Sequence, residues 1–248
     1  NGFRKGRGRT DAIFSSMEVL RRRKQWGLNS WVILFDLYKA FDVIPRACMW
    51  KSMAKMGKSL EKEGYEVLNL DYPSRKHSVA KLARLVHDQV AAKTKGAKKV
   101  HFVTHSMGGI LVRHMQASHP VKNLGRVVML SPPNQGSEVV DKLGGLKVFR
   151  WINGPAGLEL GTRKKSVPQV LGSVDFDLGV ITGDRSINWI LSSMIPGEDD
   201  GKVSTTSAKI KGMKDFKVVH ASHPFIMKKK KVIGEVLTFL KTGKFNDA

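Results

Sequence analysis

The sequence predicts an α/β fold, with a mostly parallel sheet of about six strands and helices on both faces. Three observations carry that prediction. Apolar stretches of strand length alternate with segments of helical periodicity along most of the chain. Around Ser106 a strand, a sharp turn and a helix follow one another directly. And 248 residues with 41% hydrophobic content suffice for the core of one domain of ordinary size.

Five apolar stretches read as buried strands, bounded by turn residues or helical pattern: WVILF (31–35), EVLNL (66–70), VHFVT (100–104), RVVML (126–130) and FDLGVIT (176–182). A sixth, FKVVH (216–220), is more polar and suits a place nearer the sheet edge. Helical patterns fall at about 46–63, 79–95, 107–118 and 230–241. Residues 132–175 and 183–212 are richer in Gly, Pro and Ser and read as loops, lid elements and short helices. Apolar residues in them, among them Trp151, Ile152, Leu158, Leu160, Trp189, Ile190, Leu191, Met194 and Ile195, are candidates for an acyl pocket, a lid or ordinary core.

No apolar run approaches the ~18 residues of a membrane span, so a soluble protein is expected. The start, Asn1-Gly2-Phe3-Arg4-Lys5, lacks the apolar region of a signal peptide, which favours the cytoplasm. With no initiator Met the compartment stays open, and oligomeric state is not readable. Cys48 is the lone cysteine, which excludes an internal disulfide and a cysteine-based zinc site. No metal or other cofactor is expected.

The net charge is +22, with 12 Lys and Arg against 4 Asp and Glu in residues 1–57 and 31 against 17 in the rest. Such a balance suits nucleic acid or another anionic surface. The lysines, however, are spread without aromatic interleaving, which favours a basic solvated surface over a nucleic-acid site. The one tight run, Lys228–Lys231, precedes Val232, Ile233, Val236, Leu237 and Leu240 and reads as the polar start of an amphipathic helix.

In VHFVTHSMGGILV (100–112) the chain reverses within a few residues at Ser106. Small neighbours are needed there so that helix and strand approach closely, which Gly108 and Gly109 allow. Thr104 stands where the G-x-S-x-G pattern has its first glycine. The turn aims the hydroxyl over the C-terminal edge of the sheet. It also leaves the Met107 N–H free at a helix N-terminus to bind an oxyanion. The competing reading is a serine that merely caps the helix.

A nucleophilic serine needs a base, and the base needs an acid. Of the four histidines after Ser106, His114 and His119 lie on or at the end of the following helix and reach back poorly. His223, in the loop beyond the last strand, is the preferred base, with His220 as the fallback. Asp200, before a glycine in EDDGKVS (198–204), is the preferred acid; Asp184 competes for the role, and Asp199 reads as a solvated neighbour.

From about Lys58 to Phe245 the chain resembles a small bacterial lipase/esterase of the α/β-hydrolase superfamily. The resemblance rests on LNLDYPSR (68–75), VHFVTHSMGGILVR (100–113), SPPNQGSEVVD (131–141), FRWINGPAG (149–157), PGEDDGKVS (196–204) and SHPFIM (222–227), which come in the family's order. It implies the α/β-hydrolase fold over 58–248, Ser106 as nucleophile, Asp200 as acid, His223 as base and the Met107 N–H as one oxyanion donor. The implied activity is hydrolysis of a small acyl ester, with acyl transfer to an alcohol not separable from it.

Residues 1–57 instead resemble reverse transcriptases of the retrotransposon type, in NGFRKGRGRTDAIF (1–14) and WVILFDLYKAFDVIPRACMW (31–50). Asp36 matches that family's metal-binding aspartate. Its Tyr-x-Asp-Asp element is absent, and Asp199-Asp200 sits in hydrolase context, so the fragment is expected to be dead as a polymerase. The chain then reads as a fusion joined near Gly57. Small hydrolases of this kind begin with a strand ending in a His-Gly turn, which this sequence lacks. Residues 31–57 are expected to supply the missing strand and helix, with the Leu37 or Tyr38 N–H as second oxyanion donor. Otherwise the sheet is one strand short. The remaining alternative is a catalytically weak fusion whose basic N-terminal segment binds nucleic acid.

Overall fold

The computed structural model describes residues 30–35, 46–187 and 189–246. In chain order these form β1 (Ser30–Phe35), α1 (Arg46–Lys62), β2 (Glu66–Leu70), α2 (Val79–Lys93), β3 (Lys99–His105), α3 (Met107–Ser118) and β4 (Leu124–Leu130). Then come α4 (Glu138–Leu143), α5 (Lys147–Leu158), α6 (Val167–Val170), β5 (Leu178–Gly183), α7 (Trp189–Ser192), α8 (Thr205–Ala208), β6 (Asp215–Val219), a 3₁₀ turn (His223–Lys228) and α9 (Lys230–Thr242).

The six strands make one sheet in the order β2-β1-β3-β4-β5-β6, and every neighbouring pair is parallel. Helices cover both faces, as the alternating pattern predicts. Period-2 alternation splits the apolar residues between the faces. Ile33, Phe102, Val127, Met129 and Val180 pack with Leu82 and Val86 of α2 and Ile110, Leu111 and Met115 of α3. Val32, Leu34, Val103, Val128, Leu130 and Ile181 pack with Met53, Met56 and Leu60 of α1 and Val232, Val236 and Phe239 of α9. Because both faces are buried, the strands read as continuous apolar runs.

β1 lies inside the sheet. Its register runs Trp31↔Glu66 to Phe35↔Leu70 on β2, and Ser30↔Lys99 to Phe35↔Thr104 on β3. The chain therefore runs from β1 out to β2, then crosses back over β1 to β3 and on through the rest of the sheet. The direction reverses between β1 and β3, and in open parallel sheets ligands bind at such a reversal, beyond the strand C-termini.

Strand boundaries shift from expectation by one or two residues, and β4 begins two residues early, at Leu124. β5 begins at Leu178; just before it the Asp177 carbonyl accepts from the Val127 N–H (2.8 Å) and the Asp177 carboxylate pairs with Lys214 (2.6 Å). β6 ends at Val219, which leaves His220 beyond the strand with its side chain 72% exposed. β6 is an edge strand, tied to α9 by a part-buried Lys217–Glu235 pair (2.9 Å).

The segment after β4 is held to the sheet layer by a buried cation. The Arg113 guanidinium on α3 donates to the carbonyls of Asn134 (2.9 Å), Pro168 (2.8 Å) and Gly172 (2.8 Å). Burial pushes its pKa down to about 10, so it stays charged at neutral pH. Among the described residues no helix is long and apolar enough to cross a membrane.

Ile33 is fully buried between two neighbouring strands. Ile33→Ala is expected to cost ~2–5 kcal/mol and Ile33→Val ~0.5–1.5 kcal/mol, read from urea unfolding curves. A loss below about 1 kcal/mol for the alanine variant contradicts a central position for β1.

Candidate active site

The local structure around Ser106 is set by β3 and α3. Ser106 takes φ 54° and ψ −127°, a backbone conformation that L-residues with a side chain rarely adopt. It is anchored there by its N–H, which donates to the Leu130 carbonyl (2.9 Å), while its own carbonyl accepts from the Gly109 N–H (3.1 Å). The close approach of α3 to β4 requires Gly109: a Cβ there would lie 2.9 Å from Met129 Sδ and 3.2 Å from Pro132 Cβ. Ser106 stands at the N-cap position of α3 but makes no side-chain capping bond. Its hydroxyl engages a histidine instead.

That histidine is His223. Its Nε2 lies 3.1 Å from Ser106 Oγ and its Nδ1 lies 2.8 Å from Asp200 Oδ2. All three residues are buried, Ser106 at 7%, His223 at 1% and Asp200 at 0% exposure. The loop carrying Asp200 is closed on its own carboxylate, since Oδ1 accepts from the N–H groups of Lys202 and Val203, both at 3.0 Å. The Asp200 carbonyl also accepts from the His223 N–H (2.9 Å), so the two loops are joined by backbone as well as side chain.

The charge states follow from these contacts. Burial pushes the Asp200 carboxyl up, but the neighbouring His223 and the Val203 N–H outweigh it and hold it below its ordinary value. Burial lowers the His223 pKa, and His105 and Lys202 add to this, so the imidazole stays below its ordinary value despite Asp200. At neutral pH the arrangement is a carboxylate, a neutral imidazole and a hydroxyl. With Nδ1–H donated to Asp200, Nε2 is the free lone pair facing Ser106.

The sequence-predicted Ser106, Asp200 and His223 therefore lie together. Met107 is the first residue of α3, where the N–H has no acceptor four residues back within the helix, and it lines the same cavity as Ser106. Leu37 and Tyr38, and Asp36 with them, lie outside the described residues. The two alternatives pair with each other instead: His220 Nδ1 is 3.1 Å from Asp184 Oδ1 on the exposed side of the sheet end. Asp199 departs from expectation. Far from being solvated, it is 5% exposed, and its carboxylate accepts from Ser192 Oγ (2.5 Å) and the Gly201 N–H (2.6 Å). It braces the turn that presents Asp200.

Two supporting residues escaped the sequence reading. His105 Nε2 donates to the His223 carbonyl (2.9 Å), and the two rings lie 4.7 Å apart. Its position directly before Ser106 was the available signal. Gly183 ends β5, where a Cβ would lie 2.1 Å from the Ala221 carbonyl oxygen and 3.1 Å from Asp200 Cβ. Nothing local marks that glycine, because its crowding comes from two distant loops.

A cavity opens at Ser106, lined by Ser74, Ser106, Met107, Pro133, Ser137, Val139, Val140, Phe149, Asn153, Gly157, Leu160, Leu191, Lys202 and Val203. Its apolar wall includes Val139, Phe149 and Leu191, brought by α4, α5 and α7, which cluster with Ile195. Of the apolar candidates, Leu160 and Leu191 line it, whereas Trp151, Trp189 and Ile190 face solvent. Among the described residues no cluster of His, Cys, Asp and Glu has the arrangement to hold a metal ion.

A family model described as the alpha/beta hydrolase family matches residues 44–201. The match begins ahead of the junction expected near Gly57. No curated protein matches the sequence. Among solved structures, the chain is similar to a mature lipase of Bacillus licheniformis at 18% identity and a TM-score of 0.63, over 86% of this chain and 93% of that one. A Legionella pneumophila phospholipase is similar at 17% identity and a TM-score of 0.63, over 87% of this chain and 59% of that one. A metagenomic carboxyl esterase follows at 17% identity and a TM-score of 0.57, over 80% and 65%. At these identities the likeness is one of fold.

Gly183→Ala is expected to destabilise by at least ~1–3 kcal/mol, because the Ala221 carbonyl has to move. Asp184→Asn and His220→Gln, at an exposed pair, are expected to change stability by under ~1 kcal/mol. Thermal denaturation of the three variants distinguishes these outcomes.

Proposed function

This chain belongs to the alpha/beta hydrolase family, and we propose that within it the protein is a serine carboxylic-ester hydrolase, an esterase or lipase working through Ser106, His223 and Asp200. One observation carries the reading: a buried hydrogen-bonded chain from hydroxyl to neutral imidazole to carboxylate, opening on a largely apolar cavity.

The chemistry follows from the charge states. Ser106 Oγ attacks the acyl carbonyl carbon as His223 Nε2 takes its proton. Asp200 holds the imidazole in the required tautomer and stabilises the imidazolium that forms. The Met107 N–H, at the positive end of α3, donates to the oxygen that gains charge. His223 then returns the proton to the departing alcohol, leaving an acyl group on Ser106. Water repeats the sequence, activated by the same imidazole, and releases the acid.

Residues 1–57 are read as a reverse-transcriptase-like fragment whose strand and helix, β1 and the start of α1, have been taken into the hydrolase sheet. Support comes from the burial of Val32, Ile33 and Leu34 in the two cores shared with β3 and β4. The second oxyanion donor is assigned to Leu37 or Tyr38, which follow β1 in the sequence.

Hydrolysis of p-nitrophenyl acetate and butyrate tests the reading. Ser106→Ala and His223→Ala are each expected to lower kcat by at least ~10³-fold, and the double variant to fall no further, because the pair acts as a unit. Asp200→Asn is expected to cost up to ~10⁴-fold by favouring the wrong tautomer. Equal chromophore release by wild type and Ser106→Ala overturns it.

The pH profile has a defined sign. His223 must be neutral to accept the proton, and its pKa lies below the ordinary 6.5. Activity is therefore expected to rise from acid pH to a plateau with its midpoint below that value, in kcat/KM measured against pH.

A further inference from the structure

Large apolar side chains exposed to water are few among the described residues, and most belong to two helices or the residues that lead into them. Leu146, Val148 and Trp151 belong to α5 or directly precede it, and Ile187, Trp189 and Ile190 belong to α7 or its approach. Trp151 is 75% exposed and Trp189 80%. The inner residues of the same two helices, Phe149 and Leu191, are buried against one another's cluster and line the cavity at Ser106. Each helix thus has an apolar inner side that is satisfied and an apolar outer side that is not. Helix geometry explains the split on α5: Val148 and Trp151 are three residues apart on one side, with Phe149 turned to the other.

Cations gather beside the α5 part of this surface. Lys147 and Arg150 stand on α5, which carries no carboxylate. Next to α5 opens a second cavity, lined in part by Arg150, Arg163, Lys165 and Ser166. Its two carboxylates are already engaged: Asp141 accepts from the Thr162 N–H and hydroxyl, and Glu159 accepts from the Val79 N–H. The Ser166 hydroxyl in its wall is buried without a partner. Arg75 stacks over the Trp151 ring at 5.8 Å, bringing a further cation to the patch.

Exposed aromatic and aliphatic side chains rimmed by Arg and Lys match the boundary of a lipid layer, where indole rings sit at headgroup depth and cations meet phosphates. We propose that the outer faces of α5 and α7 dock the protein on an anionic lipid surface, with Arg150, Arg163 and Lys165 meeting the headgroup phosphates. Docking in this orientation brings the Ser106 cavity, which inner residues of the same two helices line, close to the lipid. That last consequence rests on the ester-hydrolase reading; the docking does not.

Sedimentation with vesicles tests the proposal, using Ser106→Ala protein so that the lipid stays intact. Binding to phosphatidylcholine vesicles containing about a quarter phosphatidylglycerol is expected to be at least ~10-fold tighter than to phosphatidylcholine alone, and to weaken with salt. Trp151→Ala/Trp189→Ala is expected to lose at least ~10-fold in vesicle affinity, while its counterpart with Ser106 intact hydrolyses p-nitrophenyl acetate unchanged. Failure of docking and failure of the hydrolase reading are thereby read separately.

Arg163→Glu/Lys165→Glu is expected to remove the preference for phosphatidylglycerol. Lys95→Glu/Lys99→Glu, at the opposite end of β3, makes the same change in charge and is expected to leave binding intact. Matching melting curves exclude misfolding, since all these side chains are exposed. Equal loss from both charge pairs marks general attraction to a cationic chain and overturns the proposal. Full vesicle binding by the tryptophan variant overturns it too, as does a tryptophan-dependent single-stranded oligonucleotide complex in its place.

Discussion

The turn at Ser106 is the constraint on which the rest of the site depends. A serine at φ 54° costs backbone strain, of order 1–3 kcal/mol, and persists only where its surroundings over-determine it. Here β3 is hydrogen-bonded to β1 on one side and β4 on the other, and all but its first residue is buried. α3 is pressed against β4 through Gly109, so the chain has one way to pass from strand to helix. The strained residue is then the one whose hydroxyl stands beyond the strand ends, at the reversal of strand order.

The buried pair beside it works through a balance of opposed terms. An unpaired carboxylate with no exposure is too costly to keep, and Asp200 is tolerated because His223 and two backbone N–H groups surround it. The same burial keeps His223 neutral, which a lone aspartate in a polar setting would not. His105 serves both ends: its ring nitrogen fixes the His223 carbonyl, and its proximity disfavours a positive charge on His223. Removing one member leaves the others buried without their partner, so the group is a unit in stability as well as in chemistry.

The cavity is built from a part of the chain that is irregular in sequence but not loosely attached. Arg113 reaches from α3 to three carbonyls after β4, and Asp141 and Glu159 close the surrounding loops. α5 bends at Gly154, φ 64°, just before Pro155, and ahead of the bend helix periodicity leaves Phe149 buried and Trp151 exposed. The lining of the cavity and the exposed aromatic surface are consequently two sides of the same short helices.

Much of this was legible in the residues. Strands buried on both faces leave continuous apolar runs, so all six appeared within a few residues of their places, and α3 fell on its boundaries. The elbow was legible because its requirements are local: an apolar strand, a serine, then glycines. Asp200 followed from the glycine after it and His223 from its loop beyond the last strand. Asp199 misled because its sequence neighbours are polar, while its partner Ser192 comes from another loop.

By itself, then, the sequence determined the α/β class, the element order and the candidate residues, since periodicity and turn chemistry are properties of neighbours along the chain. Only the tertiary structure decided that β1 lies between β2 and β3, that Asp184 and His220 spend themselves on each other, and that Gly183 must lack a side chain. It also decided which apolar residues of α5 and α7 face the cavity and which face water. Those outcomes depend on groups far apart in sequence competing for the same space and the same hydrogen bonds, and that competition exists only once the chain is folded.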